Sequence, residues 1–442
     1  MRMQHAVSSG FRARHMLYAG ILMGVLCPDA VVGAPADDSS ASMFSFHGFG
    51  TIGVVHADER YADFVGTAFQ PNGAGYTRAW ALGVDSNLGL QVNAQLTSQL
   101  LAVVQVVSQL RFDGSWIPQI EWANIKYQLT PELSVRAGRF VAMPFLVSDT
   151  RLVAYTYTWI RPPLELYGML PVTNMDGVEA NYRLHSGAVA HSLSAAYGQT
   201  NLDFAMGGQL KARHFIQASD VMEYGSFTIR IGYTFLRIRT EIPGYQALFS
   251  GFEQFGAAAS GSGFPAIGAQ AAALGTGYLS QGASAYSSSL ATIGASYDPG
   301  SWLLMSEWAR SASGALLANS TGWYVMAGYH FSQLIPYLTI GQVEARRKVE
   351  PGISAAGLPP PLAEAAAALN GGLTAILTAF APSQSSVSVG VRWDLVKNVD
   401  LKLQYDRVRL DSNSSGRLQN VQPGFRPEDQ VNVFSLAMDF VF

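Results

Sequence analysis

The final stretch of the chain alternates. From Gln430 it reads QVNVFSLAMDFVF, with Phe434, Leu436, Met438, Phe440 and Phe442 on one side and Val433, Ser435, Ala437, Asp439 and Val441 on the other. A period of two sends successive side chains to opposite faces of a strand. The segment therefore predicts a strand with oily surroundings on one face and small or polar surroundings on the other. The same pattern recurs upstream. Phe227, Ile229, Ile231, Tyr233 and Phe235 oppose Thr228, Arg230, Gly232 and Thr234, and Leu88, Leu90, Val92, Ala94 and Leu96 oppose Asn87, Gln91, Asn93 and Gln95.

Read through to the end, the chain yields about sixteen strands. They lie near 44–56, up to 96, and at 99–110, 120–129, 133–140, 176–184, 189–200, 211–223 and 227–240. Pairs then flank Pro299-Gly300, Ser332-Gln333 and Val396–Asn398, and a last strand ends the chain. Tight turns such as Thr97-Ser98, Thr130–Glu132, His185–Gly187 and Tyr224–Ser226 alternate with longer connections. Segment 241–286, rich in Gly, Ala and Ser, reads as a long loop packed through Phe249, Phe252, Phe255 and Phe264. Segment 348–384 reads as another, with a short helix at 363–369 that Asn370-Gly371-Gly372 breaks.

An even strand number with short and long connections in alternation predicts an all-β fold. The expected architecture is a transmembrane antiparallel β-barrel of about 16 strands, with short periplasmic turns and long extracellular loops. Closure pairs every backbone group and leaves no edge in lipid. A barrel of this size encloses water, whereas one of about eight strands fills with side chains. A soluble sandwich or propeller would explain neither the alternating connections nor the terminal aromatic.

Composition agrees. Of 442 residues, 49% are hydrophobic and 13% charged, about half the charged share of ordinary soluble domains. Beyond the N-terminal segment no run approaches the ~20 consecutive apolar residues of a membrane helix. That segment carries Arg2, Arg12 and Arg14, an apolar stretch at 16–26 and Ala34-Pro35-Ala36. It reads as a cleaved signal peptide over 1–36, followed by one barrel domain over 37–442. Cleavage removes the single cysteine, Cys27, and with it thiol catalysis, disulfides and thiolate metal sites. Losing three arginines and Asp29 moves the formal charge from −3 to −5, too acidic a balance for a nucleic-acid partner.

The chemistry expected of such a barrel is passage. Segment 141–175 is less polar than a solvated loop and carries Asp149, Arg151, Arg161 and Glu165 among Tyr155, Tyr157, Trp159 and Tyr167, stiffened by Pro144, Pro162, Pro163 and Pro171. It is the candidate constriction loop. Alternation places Arg136, Arg230, Arg392 and Lys402 on the lumen side, since lipid exposure of Arg or Lys at the midplane costs about 2–4 kcal/mol. Gln91, Asn93, Gln95, Asn124, Lys126, Glu307, Asp394, Gln404, Asp406 and Asp439 share that side. Gly48, Gly50 and Gly53 match the spacing of a dinucleotide fingerprint but sit inside a strand, where they serve curvature. The sequence has neither H-E-x-x-H nor G-x-S-x-G.

The stretches GFGTIGVV (48–55), DSNLGLQV (85–92), EWANIKY (121–127), LSVRAGRF (133–140), RPPLELY (161–167) and the terminal DFVF (439–442) resemble the porins of Gram-negative bacteria, more narrowly the porin-like outer-membrane proteins of proteobacteria. That resemblance implies a trimeric, 16-stranded, water-filled channel whose third loop folds inside. Met143-Pro144-Phe145 and Arg161–Glu165 stand where general porins carry an acidic Pro-Glu-Phe-type segment, so no individual eyelet residue carries over. The expected function is an outer-membrane channel for passive diffusion of small hydrophilic solutes, with outer-membrane lipid and further copies of the chain as partners and no cofactor. The alternatives are a channel selective for sugars or aromatic acids, a plugged or adhesive barrel, and an outer-membrane enzyme.

Overall fold

A computed structural model describes residues 42–204, 208–283, 286–314, 317–346, 349–412, 414–427 and 430–442. The predicted signal peptide, with Arg2, Arg12, Arg14 and Cys27, lies outside these residues, as does Asn413. Among the described residues there are sixteen long strands. They are β1 (Phe44–Ala57), β2 (Asn87–Gln95), β3 (Leu100–Gln109), β4 (Gln119–Gln128), β5 (Leu133–Val141), β6 (Asn174–Ser186), β7 (Val189–Asp203) and β8 (Gln209–Tyr224), then β9 (Phe227–Glu241), β10 (Tyr286–Tyr297), β11 (Trp302–Ser313), β12 (Asn319–Tyr329), β13 (Leu334–Arg346), β14 (Gln384–Val396), β15 (Val399–Leu410) and β16 (Gln430–Val441). Each pairs antiparallel with the next, and β16 returns to β1 with Gly50 opposite Phe440 and Val54 opposite Leu436. Gly48 and Phe442 exchange two backbone hydrogen bonds of 2.9 Å, closing the barrel at its last residue.

The oily faces read from the sequence point outward. Phe434, Leu436, Phe227, Ile229, Ile231, Tyr233, Leu88 and Leu90 are exposed, while Val433, Ser435, Ala437 and Asp439 are buried. Aromatics gather at the short-turn end, where Phe227 stacks on Tyr297 at 4.3 Å and Trp302 meets Tyr329 at 4.8 Å. Such girdles flank the apolar band of membrane barrels. The glycines of the false fingerprint have a steric reason. A Cβ on Gly48 would lie 2.0 Å from the Phe442 ring and one on Gly50 2.5 Å from the Phe440 ring, so these two positions seat the closing aromatics.

Two connections differ from the reading as loops. The short helix α1 (Leu164–Tyr167) lies between β5 and β6; between β9 and β10 the chain forms two long helices, α2 (Pro243–Gly261) and α3 (Pro265–Ala283). Between β13 and β14 a third, α4 (Pro360–Ala379), runs straight through Asn370-Gly371-Gly372 instead of stopping at 369. The three share a core in which Phe249, Phe252, Phe255 and Tyr278 meet Ala366, Leu373 and Leu377. Glycine marks packing here, not a loop: a Cβ on Gly268 would lie 2.5 Å from the Gly256 carbonyl oxygen. Asn370 is held in the helix by reciprocal bonds with the backbone of Ile353 at 2.9 and 2.8 Å. Both ends of α4 lead to paired neighbouring strands, Val343 opposite Gln384, so the helix begins and ends on the long-loop side of the barrel.

Candidate functional site

Residues 142–173 fold inward and lie on the inner wall. Their backbone is nearly irregular, which leaves amides and carbonyls needing partners away from water. Inward side chains of the wall supply them. The Leu146 amide donates to Glu307 Oε2 at 2.8 Å, and the Ile160 amide to Gln404 Oε1 at 3.1 Å. Lys402 Nζ donates to the carbonyls of Ala154 and Tyr157 at 2.6 and 2.8 Å, and Arg392 Nη1 to those of Tyr155 and Tyr157 at 2.6 and 3.1 Å. Arg230 donates to the Met143 carbonyl, and Trp159 Nε1 to Thr339 Oγ1 at 2.9 Å. Wall glycines make room: a Cβ on Gly322 would stand 2.6 Å from Met169 Sδ, and one on Gly294 2.8 Å from Leu146.

The aromatics of the segment are spent on this attachment. Trp159, Tyr167 and Phe145 are fully buried, and Trp159 meets Tyr324 edge-on at 5.6 Å. The hydroxyls of Tyr167 and Tyr324 both donate to Glu307 Oε1, at 2.7 and 2.8 Å. No row of Tyr155, Tyr157, Trp159 and Tyr167 is left facing water.

The charges are paired in the same way. Arg161 binds Asp85 through two bonds of 2.7 and 2.5 Å and reaches Asp406 at 3.2 Å and Ser435 at 2.7 Å. Lys402, fully buried, meets Asp439 at 2.8 Å and Asp400 at 3.8 Å, while Arg392 meets Asp394 at 2.7 Å and Asp400 at 3.1 Å. Arg136 pairs with Glu179 at 2.5 Å. Glu165 is buried and accepts from Gln384 at 2.7 Å. Arg417, in the connection between β15 and β16, donates to the Gly168 carbonyl at 2.7 Å, and burial pushes its guanidinium down to about 10.

The eight sequence candidates thus separate into two groups. Arg161, Glu165, Arg230, Arg392 and Lys402 are buried between segment and wall. Asp149, Arg151 and Arg136 are half-buried, with Arg151 over the Tyr167 ring at 5.6 Å and Arg136 over the Phe140 ring at 4.8 Å. On β2 to β4, side-chain amides form a ladder. Gln105 donates to Gln91 at 2.9 Å, Gln91 to Asn93 at 2.9 Å, and Asn124 to the Arg139 carbonyl at 2.9 Å.

Sequence reasoning did not single out Asp85, Gln105, Glu179, Asp400 or Tyr324. Gln105 had a signal, as the one long polar side chain inside LLAVVQVV. Asp85 had none, because it precedes its strand and takes its role from Arg161, distant in the chain.

No protein-family model matches this chain, and no curated protein matches it by sequence. Solved structures do. OmpF of Salmonella typhi, solved in complex with daunomycin, superposes with a TM-score of 0.52 at 11% identity, over 90% of this chain and 97% of that one. OmpT of Vibrio cholerae lacking loop L8, an outer membrane protein, gives 0.50 at 10% identity, over 91% and 100%. At such identities the likeness is one of fold. Closed by β16 on β1, lined with polar side chains and coated with apolar ones, this chain has the sixteen-stranded fold of outer-membrane β-barrel proteins.

Proposed function

We propose that the protein is an outer-membrane channel through which small hydrophilic solutes diffuse passively, narrowed by residues 142–173. The observation that carries this reading is the attachment of that segment to the inner wall by Glu307, Lys402, Arg392 and Gln404. A rigid inward segment sets the width of a barrel otherwise broad enough for water. The passage is bounded by half-buried inward residues, Asp149 and Arg151 on the segment and Asn93, Lys126 and Arg136 on β2, β4 and β5. Export through cleavage after residue 36 and assembly as a homotrimer belong to the same proposal. So does a role in transport rather than catalysis, supported by the engagement of Arg161, Arg392, Lys402, Arg136 and Glu307 in pairs or in holding backbone.

Neutral, hydroxyl-rich solutes suit this lining best. Half-buried Asn93, held by Gln91, offers a donor and an acceptor without net charge, and the buried aromatics leave no greasy track. Swelling of liposomes containing the refolded protein tests this, with neutral sugars of increasing size outside. Rapid swelling with small sugars and a sharp size cut-off is expected. Swelling that ignores sugar size, or none with any sugar from a folded barrel, would overturn it.

A further inference from the structure

A groove crosses the outer surface of β6 to β9. Ala180, Ala195 and Ala218, adjacent across three strands, form its floor, with Tyr182 and Leu193 on one side and Ile231 and Tyr233 on the other; its volume is about 530 Å³. At one end stands Asp220, whose Oδ2 bonds His191 Nδ1 at 2.9 Å. Its other oxygen is covered and has no hydrogen-bond partner. Both residues face outward, since Asp220 lies opposite Leu193 and Ile231 and His191 opposite Leu184 and Met222.

A carboxylate facing lipid with a single histidine as partner is unfavourable. Its depth explains how it is met. Asp220 lies four residues from the end of β8 and His191 two from the start of β7. At about 2.5 Å of height per tilted residue, the pair sits within about 10 Å of the short turns, with His191 two residues and Asp220 four residues inside the exposed aromatics Tyr224 and Phe227. The alanine floor lies one outward row further from the short turns and runs across the strands, bounded beyond by Val178, Tyr197 and Ile216. An anionic end near the head groups and an apolar slot beyond it form the shape of an amphiphile with a hydrogen-bond-donating cationic head.

We propose that this groove binds an amine-bearing phospholipid of the periplasmic leaflet. The primary ammonium meets the accessible part of the Asp220 carboxylate, on its His191 side rather than at the covered oxygen, and an acyl chain lies over Ala195 and Ala218 between Leu193 and Tyr233. The assignment rests on reading the short turns as periplasmic.

Native mass spectrometry of the protein released from detergent tests it, using phosphatidylethanolamine, phosphatidylcholine and phosphatidylglycerol of the same chain lengths. Phosphatidylcholine keeps the positive charge but has no N–H to donate. Retention of the ethanolamine lipid about tenfold above the other two is expected, as a charged hydrogen bond supplies. Asp220→Asn and Ala218→Leu should each abolish the preference, whereas Ala137→Leu, outward on β5, should not. Equal retention of all three lipids, or a preference that survives both groove variants, would overturn the proposal. So would an oligomer that Ala218→Leu splits without any head-group preference in the parent, since the face would then be a contact between copies. Conductance of the same preparations reports the channel separately, so failure of one reading is distinguishable from failure of the other.

Discussion

Lys402 carries more structural consequence than any other inward residue. Its ammonium satisfies two carbonyls of the inward segment and faces Asp439 and Asp400 with no exposure to solvent. Removing one member of a buried charge cluster leaves the others uncompensated, at a cost of about 3–5 kcal/mol. Lys402→Met should lower stability by that amount in urea titrations of the refolded barrel. Lys402→Met combined with Asp439→Asn should lose less than the sum of the two single changes, because Asp439 is the partner left stranded. Additivity would mean the pair is not coupled. That Lys402, Arg392 and Arg230 face inward was legible from the period of two. That they hold carbonyls of one distant segment was not, because alternation gives a side and never a partner.

Among the elements, residues 142–173 owe their position as much to absent side chains as to present ones. Gly322 leaves space for Met169 and the Glu165 carbonyl, and Gly294 leaves space for Leu146. Gly322→Val should displace α1 from the wall and alter channel conductance by more than Gly187→Asn, a substitution in an open turn where a Cβ meets nothing and asparagine tolerates the positive φ. Equal conductance in the two variants would show that α1 does not help set the passage. The helices α2, α3 and α4 follow a similar logic. The Gly- and Ala-rich sequences of α2 and α3, and all of α4 beyond 363–369, read as loop because small residues blur the 3.6-residue period. The same small residues allow α2 and α3 to touch backbone to backbone at Gly256 and Gly268. Gly268→Leu should therefore unpack these helices, seen as faster proteolysis within 243–283, while the barrel keeps its refolding yield. The helices have a core of their own, so loss of barrel folding would contradict that independence. Strands were far more legible, since lipid outside and polar lining inside impose a contrast on every second residue.

At the scale of the whole molecule, the cations of the inner wall are held in ion pairs. Arg161, Arg392, Lys402 and Arg136 are each matched by carboxylates within 4 Å. Rings of uncompensated charge produce strong ion selectivity, and such rings do not arise from matched pairs. The half-buried Asp149 and Arg151 also carry opposite signs. A weak preference between cations and anions follows. The sequence contained these charges, but not the pairings that cancel them, because partners such as Asp85 and Arg161 meet only after the barrel has closed.

Single-channel recording of the refolded barrel in a planar bilayer, under a salt gradient, tests the central claim most directly. Stable, ohmic steps with a reversal potential close to zero are expected. Absence of steps from a barrel shown to be folded would contradict the open channel, and a large reversal potential would contradict a wall whose charges cancel in pairs.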